Sequence, residues 1–176
     1  EEPDVVLACC GDTPTKEALA AVTILRDNMP EIKIRFINVV DLMKLEPHYK
    51  HPHGLTDVDY DALFTKDKPI IFAFHGYPTM VHELTYNRTN RNLSVHGYME
   101  EGTITTPFDM RVQNEIDRYH LVMDIINHLP QLGNRGSYLL QKMRDTLVAH
   151  EQYIAEYGQD LPEVRDWVWH TPEDNK

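Results

Sequence analysis

Apolar residues along this chain follow two rhythms. Val5-Val6-Leu7-Ala8-Cys9-Cys10 and Ile70-Ile71-Phe72-Ala73-Phe74 are unbroken runs of strand length with no polar face, the pattern of strands covered on both sides. Elsewhere apolar positions recur every three or four residues, the spacing of helices with one buried stripe. The first run stops at Gly11, and Thr13-Pro14 opens a helix whose inner face is Ala18, Val22, Leu25 and Met29, closed by Pro30. Ile32 to Val40 alternates and then turns wholly apolar, which predicts a second strand, parallel to the first across a right-handed crossover. Leu42-Met43-Lys44-Leu45 has room for one helical turn before Pro47 and Pro52 break anything longer. Thr56 with Asp59 three residues on is a capping pair, predicting a short helix through Leu63-Phe64.

The strand at 70–74 is stopped by His75-Gly76-Tyr77-Pro78, and a helix from Thr79 to Tyr86 is expected next. The polar link Asn87 to Asn92 leads into a fourth strand, Leu93-Ser94-Val95-His96. The loop from His96 to Pro107 then launches what the spacing predicts to be the longest amphipathic helix, with Thr106 as N-cap, Pro107 in the first turn and Asp109 as the capping acid. Its stripe of Val112, Ile116, Tyr119, Val122 or Met123, and Ile126 runs on until Pro130. Gly133-Asn134-Arg135-Gly136 is expected to be a turn, with Ser137 capping a last helix that Gly158 ends. Strands alternating with helices predict an α/β domain with a mostly parallel sheet and helices on both faces, followed by two long C-terminal helices. Residues 1–176 are expected to form one domain, with 159–176 as an extended C-terminal arm carrying Trp167 and Trp169.

Composition narrows the partners. The 176 residues, 41% of them apolar, suit one core. A formal charge of −11 repels phosphate backbones and anionic bilayers, so neither nucleic acid nor membrane is expected as a partner. No apolar run approaches the roughly 20 residues that span a bilayer, and the start is acidic where a signal peptide would be basic, so a cytoplasmic protein is expected. Cys9 and Cys10 are the only cysteines and lie in a buried run; no disulfide framework is expected, nor a metal site. A strand that begins almost at the first residue, with no leading methionine, suggests a piece of a longer chain.

Three places have the residue types for chemistry. Gly11 and Thr13 stand where a strand empties into a helix, a weak candidate for an anion site that lacks the second glycine and the lysine of a phosphate loop. His48, His51 and His53 are close in sequence but lack metal-ligand spacing across Pro52, and are expected to structure a loop. His75-Gly76-Tyr77 and His96-Gly97-Tyr98 both follow strands, so both should emerge on the sheet's carboxyl edge, where open α/β sheets bind ligands. The same residue types suit a domain interface or simple turns that cap and pack. Gly102, Thr105 and Thr106 extend this candidate interface or anion-binding surface. Glu100-Glu101 has the groups for acid and base catalysis, but neighbouring loop carboxylates usually point apart into water.

Longer strings carry a resemblance. His51-Pro52-His53-Gly54-Leu55-Thr56-Asp57, Asp61-Ala62-Leu63-Phe64-Thr65, Ile71 to Pro78, and Thr105-Thr106-Pro107-Phe108-Asp109-Met110 together resemble the C-terminal domain of the xylulose 5-phosphate/fructose 6-phosphate phosphoketolases. The likeness runs from Asp4 to Trp167-Val168-Trp169. It implies a transketolase-like domain with a mixed sheet, within a cytoplasmic carbon-carbon lyase that uses thiamine diphosphate and magnesium. In that family the cofactor's carbanion attacks the ketose phosphate, a carbon-carbon bond breaks and an aldose phosphate leaves. The two-carbon adduct then loses water and is cleaved by inorganic phosphate to acetyl phosphate.

The first two of the family's three domains hold the cofactor between subunits of a dimer. This chain has no Gly-Asp-Gly motif for the diphosphate-bound metal and no glutamate matching the one that activates the thiazolium. The resemblance therefore implies a third domain with no catalytic or cofactor-binding residue of its own, whose partners are the N-terminal and middle domains. The alternative is a self-standing or regulatory module that binds a small phosphorylated metabolite beyond Gly11, Gly76 and Gly97.

Overall fold

A computed structural model describes residues 2–99, 102 and 104–169. Strands β1 (Val5–Cys10), β2 (Ile34–Asn38), β3 (Ile70–Phe74) and β4 (Leu93–Gly97) form one sheet in the order β2-β1-β3-β4, with every pairing parallel. Helices α1 (Asp12–Asn28), α2 (Asp57–Phe64) and α3 (Pro78–Thr85) fill the crossovers. Then come α4 (Pro107–Gln113), α5 (Arg118–Asn127), α6 (Gly133–Tyr157) and α7 (Pro162–Arg165), with 3-10 turns at Leu42–Leu45 and Pro130–Leu132.

The two apolar runs are central because each feeds two cores. Side chains alternate across a strand. Val5, Leu7 and Cys9 of β1, with Ile71 and Ala73 of β3, face the layer of α1, α5 and α6. Val6 and Ala8, with Ile70, Phe72 and Phe74, face Leu45, α2 and α3. A run with a polar residue at either parity would spoil one of those layers.

The expected helix from 107 to 130 is two helices. Glu115 takes a positive φ of 54°, and Asp117, fully buried, begins α5 by accepting the Tyr119 and His120 backbone N–H groups. The break serves a buried ion cluster. Glu17 of α1, with no exposed surface, receives Arg118 Nε at 2.8 Å, the Arg118 backbone N–H at 3.2 Å and Arg111 from α4 at 2.7 Å. Arg111 and Arg118 would leave a single straight helix seven residues apart; folding the chain between them brings both to one carboxylate.

The longest helix is therefore α6, of 25 residues. It starts at Gly133, so Gly133 to Gly136 is its first turn rather than a loop, and Ser137 lies inside it with its hydroxyl on the Gly133 carbonyl. Gly136 lies at the crossing with α5: a Cβ on it would stand 3.1 Å from an Ile126 methyl, a tight contact that glycine avoids. Gly158 ends α6 in the left-handed conformation, as the sequence predicts. The arm that follows is seated on the domain: Val164 of α7 is in the core, and Arg118 lies over the Trp167 ring at 5.1 Å. Residues 170–176 of that arm lie outside the described residues.

A buried arginine that has lost its carboxylate is a strongly unfavourable state. Glu17→Gln is therefore expected to lower the unfolding free energy by about 3–5 kcal/mol, measured by urea denaturation, whereas an exposed control such as Glu151→Gln leaves it unchanged.

Candidate functional site

The carboxyl edge of the sheet gathers some of the expected residues and disperses others. Gly11 holds φ at 106°, and a Cβ on it would lie 2.8 Å from His75 Cβ, so the loops after β1 and β3 are in contact because residue 11 is glycine. The His75 N–H donates to the Cys10 carbonyl at 3.1 Å, its ring meets Tyr98 edge-on at 5.6 Å, and its Nδ1 stands 3.8 Å from an Asp12 carboxylate oxygen. Tyr98 donates its backbone N–H to Phe74 and its hydroxyl to the Met110 sulfur at 3.8 Å. Gly97 packs on the Gly76 carbonyl and the Pro78 ring with no room for a side chain, Gly76 is covered by Phe74, and Tyr77 is 61% exposed.

His96 does not join this group. Strand alternation places Ser94 and His96 on the α5 face of β4, where Asp124 accepts from Ser94 Oγ at 2.6 Å and meets His96 Nε2 at 2.7 Å and His128 Nδ1 at 3.1 Å. Burial pushes the Asp124 carboxyl up, but the hydrogen bonds from His96 and Ser94 outweigh it and hold the group below the ordinary carboxylate range. The two sequence triplets thus contribute one ring each to the edge cluster, His75 from one and Tyr98 from the other, above the packed glycines.

At Gly11 and Thr13 the first turn of α1 is occupied internally. Asp12 accepts the Thr13 N–H at 2.7 Å and the Thr15 hydroxyl binds the Gly11 carbonyl at 2.5 Å. Thr106 caps α4 through the Asp109 N–H, and Thr105 donates to the Asp109 carboxylate at 2.7 Å. Gly102 has φ of 77° with nothing within 4 Å of its missing Cβ. Glu100, Glu101 and Thr103 lie outside the described residues.

Beside this edge, a crevice of about 900 Å³ opens at the carboxyl ends of β1 and β2, walled by Cys10, Gly11, Lys16, Val40, Trp167 and Trp169. Nothing in the residue pattern signals this pairing between the loops and the tryptophans, which are far apart along the chain. Burial pushes the Cys9 thiol up to about 11 and raises Cys10 as well, so neither is an activated nucleophile.

In the loop of three histidines, His51 Nδ1 accepts the His53 N–H at 3.1 Å and His53 contacts Asp41 at 3.0 Å. Among the described residues no three His, Cys, Asp or Glu side chains stand close enough to hold a metal ion. Arg88 was hidden in a stretch that reads as a polar link. Its buried guanidinium binds the Leu45, Glu46 and Leu55 carbonyls and Asp57, and lies 4.2 Å over Tyr60, clasping the three-histidine loop to the domain.

The parallel sheet with helices on both faces defines a transketolase-like α/β domain. A solved "Split gene transketolase, inactive beta4 tetramer" shares the fold at a TM-score of 0.50 and 17% identity, over 73% of this chain and 40% of that one. The family is closer than the fold: residues 1–169 match the XFP C-terminal domain, and the chain belongs to that family. A "Probable phosphoketolase" of Clostridium acetobutylicum is 68% identical over 170 residues, 97% of this chain, and one of Nitrosospira multiformis is 60% identical over 173 residues, 98% of this chain. The chain spans about a fifth of their length, 21% in each case. Among the described residues no helix is long and apolar enough to cross a membrane.

Two expected outcomes test the edge. Gly97→Ala drives a methyl into a backbone carbonyl and is expected to cost about 3 kcal/mol, whereas Gly102→Ala meets only the left-handed backbone penalty of about 1 kcal/mol; urea denaturation of the two variants should preserve that order. The second concerns acid. Because the folded Asp124 pKa is depressed, its contribution is present above the unfolded carboxylate pKa and is lost as pH falls through the folded value. Asp124→Asn is expected to remove about 1.5–3 kcal/mol at neutral pH and to flatten the acid limb of the stability profile.

Proposed function

We propose that this chain is the C-terminal domain of a thiamine diphosphate-dependent phosphoketolase of the cytoplasm, one that converts xylulose 5-phosphate or fructose 6-phosphate and inorganic phosphate to acetyl phosphate and an aldose phosphate. The observation that carries the reading is 68% identity across 97% of the chain to a protein named as a phosphoketolase, of which the chain spans 21%.

The chain's own residues do not fit the cofactor. They lack the Gly-Asp-Gly motif, and the described residues offer no grouping for a divalent cation. Thiamine diphosphate and magnesium are assigned to the remaining domains, and no step of the reaction is assigned here. The role left to this domain is structural: it supports the catalytic domains and a dimer-based assembly. His75, Gly76, Tyr77, Gly97, Tyr98, Gly102, Thr105 and Thr106 are the residues offered to them. His96 acts from behind these residues by fixing β4 to α5.

A metabolite-binding module is a second reading, favoured by the crevice near Lys16 and the tryptophans. The Asp12 carboxylate at its rim counts against an anionic ligand. With thiamine diphosphate, magnesium, phosphate and either ketose phosphate, the 176-residue chain is expected to produce no acetyl phosphate, and calorimetry with phosphate and sugar phosphates to show no saturable heat. Cofactor-dependent turnover by the chain alone would overturn the assignment, and saturable binding would move it to the second reading.

A further inference from the structure

The C-terminal arm is fastened at one buried point. Asp160, two residues beyond the glycine that ends α6, accepts the Phe108 backbone N–H of α4 at 3.1 Å through Oδ2. Its other oxygen stands 3.5 Å from Nε2 of His150 on α6, and His150 is 1% exposed. Among the described residues, neither ring nitrogen of His150 nor Asp160 Oδ1 makes a hydrogen bond. The imidazole meets the Phe108 ring edge-on at 4.9 Å, and the same ring has the Arg118 guanidinium over it at 5.5 Å. Beyond this point the arm runs through α7 to Trp167-Val168-Trp169, the lip of the crevice.

We infer that His150, Asp160 and the Phe108 amide form a proton-operated latch: with His150 neutral the arm is seated, and one proton on the buried imidazole loosens it and uncovers the crevice. Geometry sets the direction. A neutral imidazole has one N–H to satisfy, whereas the cation has two donors and faces one acceptor. Nε2 stands 3.5 Å from that acceptor and Nδ1 has no partner, so the cation would keep a second N–H buried and unsatisfied, a cost that release of the arm relieves.

The groups facing His150 pull in both directions. Asp160 on the arm, Asp109 on α4, Asp117 at the start of α5 and Glu163 on α7 favour the cation. Burial opposes it. Burial is the largest influence and leaves His150 below the ordinary imidazole range. A histidine with a depressed folded pKa supports the seated state fully above its unfolded pKa. That support is lost as pH falls through and below it.

The test uses the full 176-residue chain, whose only tryptophans are the two in the arm. Acrylamide quenching of their fluorescence is expected to rise at least about twofold between roughly pH 7.5 and roughly pH 4.5, a window that reaches below the ordinary histidine range because burial depresses the folded group. Over the same range the Phe108 amide should lose protection from hydrogen exchange, normalised to its unstructured rate, while amides in β1 keep theirs. In His150→Gln and His150→Phe both profiles should be flat. Unchanged quenching in the parent chain, tightening on acidification, or an acid transition that survives in both variants would overturn the latch. If neither variant folds, the parent chain's Phe108 protection decides alone: a pH-independent value overturns the proposal.

Discussion

A single carboxylate governs how the second half of this domain meets the first. Glu17 sits within an otherwise apolar helix face, fully buried like its neighbour Ala18, where an unpaired charge would be intolerable. It is kept there by Arg118 and Arg111, which arrive from helices on either side of a chain reversal. Apolar burial alone would let α5 slide or rotate on α1, because dispersion and hydrophobic contact are non-directional. Fork geometry is not so forgiving: two guanidinium groups on one carboxylate fix axial position and rotation together. The same Arg118 extends the restraint outward, lying over Phe108 and Trp167, so the first turn of α4 and the arm are both referred to α1.

How much of this could be read from the residues depended on whether the determining interaction was local. Strands β1 and β3 were legible because a run with no polar parity has few other homes, and Thr56, Thr106 and Gly158 declared helix ends through short-range bonds. The break at Glu115 was not legible. The apolar stripe continues across it, and what enforces it is an acid about a hundred residues earlier in the chain. Gly133 to Gly136 misled because its two glycines answer separate demands: Gly133 carries the chain out of the 3-10 turn into α6 at a φ of 51°, and Gly136 lies against Ile126 where α6 crosses α5.

The candidate surface divides along the same line. That both His-Gly-Tyr triplets lie at the carboxyl edge followed from strand direction. Which of their side chains meet depended on where each strand stops. β4 runs one residue past His96, so His96 is still inside the sheet's alternation and is claimed by Asp124, while β3 ends before His75 and leaves it free to turn toward Tyr98. Arg88 gave no signal, since a buried arginine that binds three carbonyls looks in sequence like any solvated cation. The family resemblance was legible from extended strings, among them the one containing the Leu55 and Asp57 that meet at Arg88's clasp.

The sheet order has a consequence for how the domain is made. β1 is one of its two inner strands and the earliest of the four to leave the ribosome, yet one of its two partners, β3, begins only at Ile70. With every pairing parallel, no hairpin shelters Val5-Val6-Leu7-Ala8-Cys9-Cys10 in the interim, and a hydrophobic strand with open edges is a template for aggregation. The helix α1 and strand β2 that follow at once cover one face and one edge of it, so the order of synthesis halves the exposed interval. Translation speed between Asn38 and Ile70 thus becomes a variable in the yield of folded protein.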